Sequence, residues 1–492
     1  MQKKIIITAV VIAIFAMIKS PVTVSADYRY DEFGIPMPAQ ASHASVATYN
    51  GKQLDIGNFK DPTDIFVDQN NLIYILDAGN NRIVILNRDY QVERVITEIK
   101  SNNGVESIEG ANGLFVSNEE KIFIADTSNA RILITDLYGK LLNIITRPES
   151  DMLPKEANFL PKSIIVDKTG NIYMISEKST QGAYMMSPKG EFMGFYGRNN
   201  VTLTAELVFE HYYRKFASEA QREKMSNFIP VEFSNFDIDE EGFVYTVTAY
   251  SGNPINDEMI RKLNPLGNNI LQYQWHTYGD APDGDKYLTA YTDIAVDDNH
   301  FIYTLDSYTG RIFLYDDTGF QISIFGGAAN QQGYFKDAIA IDTIGNDIII
   351  LDSAKKNITV FEPTYFGKTL IEAMSFYNEG KLEECLSLFE ELIKMDANFF
   401  FAYKAIAMTY YDMGQYELAE KNAKISDIAQ LVYSDAKKEI RNNLMRERFT
   451  LLFFGVILLC LIIIGITRMK KIKVLRMRMN NANASSNARR VS

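Results

Sequence analysis

The sequence predicts a mainly β fold of six copies of one four-stranded sheet, followed by paired helices and one apolar segment long enough to cross a membrane. Two observations carry the β part. Short apolar, β-branched and aromatic runs alternate with Asn/Gly/Asp turns, and the same order of runs recurs on a fixed phase. A third carries the rest: beyond residue 363 the apolar spacing turns helical and then becomes unbroken. A lone four-stranded sheet cannot bury both faces, so it needs copies of itself to pack against.

The first copy occupies residues 59–86. Pro62 leads into Ile65-Phe66-Val67-Asp68, and the turn Gln69-Asn70-Asn71 precedes Leu72-Ile73-Tyr74-Ile75-Leu76-Asp77. A second turn, Ala78-Gly79-Asn80-Asn81, precedes Arg82-Ile83-Val84-Ile85-Leu86, and a run at 92–96 supplies a fourth strand. The first strand ends 9 positions before the second in five copies: Asp68/Asp77, Ser117/Asp126, Asp167/Ser176, Asp239/Thr248 and Asp297/Asp306. In the sixth, Asp342/Asp352, the gap is 10.

At 492 residues the chain exceeds one ordinary domain, and 47% apolar residues provide for a large core. The formal net charge is -12, yet residues 1–26 and 468–492 are basic and contain no acid. The middle is therefore more acidic than the whole, which argues against nucleic acid as a partner. Of the 2 cysteines, Cys385 lies in a helical segment and Cys460 in the apolar run, so they are expected unpaired. The histidines, His43, His211, His276 and His300, fall on unrelated phases of the repeat, which excludes a repeated histidine metal site.

Residues 1–26 have the form of an export signal: Lys3 and Lys4, an apolar stretch from Ile5 to Ile18, then Val24-Ser25-Ala26. That stretch would span about 21 Å as a helix, short of the roughly 30 Å hydrocarbon core, which favours a cleaved signal over an anchor. Residues 27–44 are polar and Pro-containing and read as a linker; Val46-Ala47-Thr48-Tyr49 reads as a strand with no sheet of its own. The sixth copy runs from Ile358-Thr359-Val360-Phe361 straight into Glu362-Pro363 and lacks an outer strand, so 46–49 is expected to complete it.

Gly170-Asn171-Ile172-Tyr173, Ala125-Asp126 and Asn80-Asn81-Arg82-Ile83 resemble the NHL repeat. The resemblance implies a six-bladed β-propeller, here over 45–363, with each blade's first strand lining a central channel. Residues 204–225 interrupt the strand rhythm; Thr204 as N-cap and Leu207, Val208, Tyr212 and Phe216 on one face predict an inserted helix.

Residues 365–433 carry helical spacing, and Gly380 and Gly414 punctuate two helix pairs one repeat length apart. Ala373, Phe376, Leu382 and Phe389 match Ala407, Tyr410, Tyr416 and Ala423 at that period, which resembles two tetratricopeptide repeats. A charged juxtamembrane helix (434–448), an uncharged apolar run (449–467) and a basic tail (468–492) follow. The run is long enough to span a bilayer. The export signal then places the propeller outside and the tail in the cytoplasm.

NHL-like repeats usually carry Gly four residues before the strand-ending Asp. Here that place holds Asp64, Gly113, Ser163, Asn235, Asp293 and Ala338, preceded by Thr63, Asn112, Lys162, Ser234, Thr292 and Asp337. Side chains are thus expected at the channel mouth, with Asp64, Asn112, Lys162, Asn235, Asp293 and Asp337 as candidate ligand-binding residues. Carboxylates and Asn are hard oxygen donors, so Asp64, Asn235 and Asp293 are candidate Ca²⁺ ligands. A calcium-dependent gluconolactonase-like propeller would use such a site, though no single motif of that family recurs here. Polar residues that merely solvate a wet channel are the alternative. The pairs Asp77/Arg82, Asp126/Arg131 and Asp306/Arg311 recur in phase and read as turn architecture. No nucleophile elbow, phosphate loop or metalloprotease motif is present. The expected function is that of a membrane-anchored extracytoplasmic binding or scaffold protein for a protein or carbohydrate-type ligand, with no required cofactor.

Overall fold

The structure, a computed structural model, describes residues 27–30, 35–102, 104–197, 232–248, 259–271, 278–280, 289–426 and 429–488. The export signal read at 1–26 and the helix read at 204–225 lie outside them. The chain forms two compact units, residues 1–381 with 394–396, and residues 382–393 with 397–492.

Among the described residues the first unit holds six blade sheets, each an antiparallel meander from an inner strand outward, and a separate two-stranded hairpin of Ile99–Ser101 with Gly104–Glu106. The inner strands are Asp64–Val67, Gly113–Val116, Pro161–Val166, Phe233–Ile238, Tyr291–Val296 and Ala338–Ile344. Second strands such as Ile73–Asp77 are buried throughout, because blades cover both of their faces. Alternation sorts the side chains between neighbours. Ile73 and Ile75 pack with Ala340, Ile349 and Leu351 of the sixth blade. Tyr74 and Leu76 pack with Leu114, Ile122 and Ile124 of the second. Each such aliphatic side chain contributes about 1.5–3 kcal/mol on burial, so the blade interfaces are the core.

Among the described residues the fourth blade has three strands, ending with Ile260–Leu263. Past its turn, Asn269 returns beside Leu263 in a single bridge. The second blade keeps Gly113 because a Cβ there would overlap the Lys162 carbonyl of the third.

The ring closes as the missing outer strand predicts. His43–Asn50 runs antiparallel to Asn357–Pro363, with Tyr49 opposite Ile358, Thr48 opposite Thr359 and Ala47 opposite Val360. The reading of 27–44 as a linker needs correction. Tyr28–Tyr30 and Pro36–Pro38 form a hairpin on the outer edge of the fifth blade, where Tyr28 faces Ile324, and the closing strand already begins at His43. Two three-residue strands are too short to show a period. What fixes them is distant: the Tyr28 and Tyr30 hydroxyls both donate to Asp280, which also takes Arg311.

Helix α1, Tyr365–Asn378, belongs to the propeller unit, so the stretch 365–433 is not one domain. Thr364 caps α1 through Gly367 N–H at 3.2 Å, and the Thr364 N–H donates to the Ser42 carbonyl at 3.0 Å. The second unit contains most of α2, Leu382–Met395, with α3, Phe400–Asp412, α4, Tyr416–Ala423, and α5, Gln430–Ala488. Gly380 and Gly414 end α1 and α3 with the same left-handed turn, φ 74° and 73°. Lys381 N–H reaches the Phe376 carbonyl and Gln415 N–H the Tyr410 carbonyl, both at 2.8 Å. Cys385 and Phe389 of α2 lie against Thr409 and Phe401 of α3. Within α5 the run 449–467 exposes its apolar side chains, and α5 is long and apolar enough to cross a membrane.

Candidate functional site

Inner strands enter the channel at its mouth with the residues that replace the usual Gly and those just before them. They enclose a cavity of about 440 Å³ lined by Asp64, Asn112, Lys162 and Asn235 of the expected set. Thr63, Ser163, Ser234, Thr292 and Ser353 complete much of the wall. Asp293 lies below, in a neck of about 30 Å³ that also touches Asp64, Asn235, Asp237 and Asp342. That is room for about one water. Asp337 lines neither space; it is exposed and accepts the Ser353 hydroxyl. Asn112 donates to Glu177 at 3.1 Å, and Lys162 has no side-chain partner among the described residues.

The carboxylates of the neck join blades. Asp64 Oδ2 accepts Leu114 N–H at 2.7 Å, linking the first blade to the second. Asp293 Oδ2 accepts Ile341 N–H at 2.7 Å, linking the fifth to the sixth. Two residues deeper, Asp237 accepts Val296 N–H at 2.9 Å and Asp342 accepts Val67 N–H at 2.6 Å. The second oxygen of each takes the N–H of the residue that follows it in sequence. Asn235 bridges to Asp293 through its amide nitrogen at 2.5 Å.

Loss of water in this neck dominates the titration. It pushes Asp64 up to about 7 and Asp237 up to about 6. Asp293 and Asp342 are raised well above the carboxylate range by the same desolvation. The Asp64 charge adds to the effect on Asp293, and the Asp237 charge to that on Asp342.

These residues do not fit a calcium ion. Ca²⁺ needs 6–8 converging oxygens at about 2.3–2.6 Å. Here the carboxylate oxygens are engaged by backbone N–H groups, and Asn235 turns its nitrogen toward Asp293. Among the described residues no group of three or more His, Cys, Asp or Glu converges in a metal-holding arrangement.

The opposite end of the channel opens into a larger cavity, about 1060 Å³, which the sequence reading missed. Its floor is the neck; its walls include Phe66, Phe115, Val116 and Val166, and turns from all six blades form its rim. The acid-rich turn Asp239-Glu240-Glu241 and the pair Asp297-Asp298 are the signals that point to it. Part of this acid is architectural. Asp68 Oδ1 accepts Asn70 and Leu72 N–H, and its Oδ2 accepts the Tyr74 hydroxyl. Asp167/Tyr173, Asp239/Tyr245 and Asp297/Tyr303 repeat that hydroxyl bond at the same spacing. In the second blade Ser117 and Phe123 stand at those places, and the Ser117 hydroxyl has no partner among the described residues.

Of the recurring Asp/Arg pairs, two are turn architecture as expected. Arg82 Nε donates to Asp77 at 2.6 Å and Arg131 Nε to Asp126 at 2.7 Å. In the fifth blade Arg311 turns instead to Asp280 and lies over the Tyr28 ring, while Asp306 takes Thr309.

The chain is thus a six-bladed β-propeller followed by helices. No family model matches the sequence, and no curated protein matches it. Solved structures do. The virginiamycin B lyase of Staphylococcus aureus is similar with a TM-score of 0.38 at 10% identity, over 64% of this chain and 98% of that one. A gluconolactonase of Xanthomonas campestris gives 0.38 at 12%, over 62% and 86%. A protein of unknown function from Bacteroides thetaiotaomicron gives 0.39 at 12%, over 69% and 76%. At these identities the likeness concerns the fold alone.

Proposed function

We propose that this chain is a membrane-anchored, extracytoplasmic binding or scaffold protein. Its NHL-type propeller holds a protein or carbohydrate-type ligand at the channel mouth. The tetratricopeptide-like helices offer a second protein-binding surface, residues 449–467 are the anchor, and 468–492 face the cytoplasm. One observation carries the reading: a single mouth cavity collects side chains from all six blades, chiefly hydroxyls and amides around an unpartnered Lys162. The acids beneath it are committed to blade boundaries. Such a surface suits recognition of a polar ligand.

The test is a pull-down from solubilised membranes with the wild-type chain and a Lys162→Ala/Asn112→Ala variant. A specific partner or glycan retained by wild type and lost by the variant supports the mouth. Equal retention by both overturns it. The alternative, a calcium-dependent gluconolactonase-like hydrolase, requires turnover of a sugar lactone and a calcium-dependent rise in Tm that disappears in Asp64→Ala/Asp293→Ala. The geometry of the neck leads us to expect neither.

A further inference from the structure

The recognition role proposed above leaves the basic end of α5 without a task. We propose that residues 468–479 form a lipid-binding segment that lies along the membrane surface and takes the phosphate headgroups of anionic phospholipids. The inference rests on 449–467 as the anchor.

Charge is the first argument. Arg468, Lys470, Lys471, Lys473, Arg476 and Arg478 follow the apolar run directly, and residues 468–492 contain no acid. All six are exposed and have no charged partner among the described residues. The stretch before the run differs. Over 434–448, Lys437, Lys438, Arg441, Arg446 and Arg448 are interleaved with Asp435, Glu439 and Glu447. Unopposed charge is thus confined to one side of the anchor. A base held beside an anionic leaflet is attracted within a Debye length, about 8 Å at physiological salt.

The apolar residues supply a second, independent argument. Ile472, Leu475 and Met479 of α5 are 51%, 57% and 64% exposed. At about 100° per residue they fall on one stripe of the helix. Lys473 and Arg476 border that stripe on one side, Lys471 and Arg478 on the other. Apolar side chains bordered by bases mark a helix seated at the headgroup boundary, where long basic stems cover apolar surface and the charged heads reach phosphate. A charge run that only meets water, or one that tracks a nucleic acid backbone, has no use for the stripe.

Length supplies the third argument. Upright, the helix would carry Arg476 about 12 Å beyond Arg468, at about 1.5 Å per residue, whereas the headgroup layer is roughly 5–7 Å deep on each face. A segment laid over onto the surface brings Lys473, Arg476 and Arg478 to headgroups together. Gly465 stands three residues before Arg468 and weakens the helix there, so the turn onto the surface costs least at that point.

The test uses the full chain in lipid nanodiscs, made of phosphatidylcholine alone or mixed with phosphatidylglycerol. A Cys460→Ala chain carries an environment-sensitive dye at Met479→Cys; Cys385 is buried. In the mixed discs the emission should move to the blue, and high salt should reverse the change. Lys471→Gln/Lys473→Gln/Arg476→Gln/Arg478→Gln should reduce the shift by about fivefold or more. Ile472→Asn/Leu475→Asn keeps every base and should also lose most of it. Equal emission in the two kinds of disc overturns the proposal, and so does a shift that either variant leaves unchanged. A short RNA that abolishes the shift assigns the bases to nucleic acid and overturns it too. A chain that never enters the discs overturns the anchor and this inference with it; that failure is distinct from a dye that stays insensitive in a chain that has entered.

Discussion

The Asp342 carboxylate accepts the backbone N–H of Val67 at 2.6 Å, across 275 residues of chain. It joins the inner strand of the last blade to that of the first. The outer edge of the same last blade is completed by His43–Asn50. The ring is therefore fastened twice at one seam, once by a strand on its circumference and once by a carboxylate at its axis.

Asp342→Ala leaves the Val67 and Thr343 N–H groups without their acceptor in a narrow neck. An unmet buried donor costs about 1–3 kcal/mol. The expected result in urea unfolding is a loss of that order. Asp342→Asn keeps one acceptor oxygen and removes a repelled charge, so it should cost less. Equal losses in the two variants would show that the clasp is not what Asp342 contributes.

How far the sequence reveals this depends on the distance over which each feature is decided. The blades are legible because each is a local meander whose turns and strand-ending Asp recur on one phase. The closing strand is legible by elimination, since the sixth repeat lacks a partner and 46–49 lacks a sheet. Arg311 is not: it shares the phase of Arg82 and Arg131, yet turns to an Asp280 held by Tyr28 and Tyr30 from the N-terminal hairpin. Asp64 and Asp293 are legible as residues facing the channel but not in their role. A carboxylate before a strand suits a ligand, a turn or a neighbouring blade, and only the position of the next blade's N–H selects the last.

Stability should depend on pH in two opposed ways. Asp64 and Asp237 are raised from the ordinary 3.8 to about 7 and about 6 by desolvation. The folded chain then holds protons that the unfolded chain gives up, so their contribution is complete below about pH 4 and is lost as pH rises through 6 to 7. His43, buried between Phe325 and Tyr303, runs the other way: burial lowers it from 6.5 to about 3, so its contribution is complete above 6.5 and is lost as pH falls toward 3. Asp237→Asn should flatten the fall in Tm between about pH 4 and 7. His43→Phe, which keeps the stacking, should steepen it. Superimposable Tm–pH curves for wild type and both variants would contradict these assignments.

The proposed topology rests on the apolar run at 449–467 and the basic residues 468–492 beyond it. Protease added to intact cells should remove the propeller and spare a tag at the C-terminus. Loss of the tag with the propeller protected would reverse the orientation.

Ring closure supplies the last prediction. Deleting residues 27–50 removes the hairpin on the fifth blade and the outer strand of the sixth. It also removes the Ser42 carbonyl that holds Thr364 at the start of α1. The sixth blade is left with Asn357–Pro363 as a bare edge, and partly buried Tyr49 no longer packs in the core between the sixth and first blades. Since those two blades share one core, the loss should propagate round the ring. With one strand's apolar contacts gone, the cost should be several kcal/mol, at about 25 cal/mol per Å². A lower Tm in the deletion is the expected result, and a synthetic peptide spanning 43–50 should restore part of it by pairing in trans. If the peptide restores nothing while a deletion of 27–42 alone gives the same loss, the seam is held by the N-terminal hairpin and not by the closing strand. An unchanged Tm in the full deletion would mean that the six blades hold their ring without it.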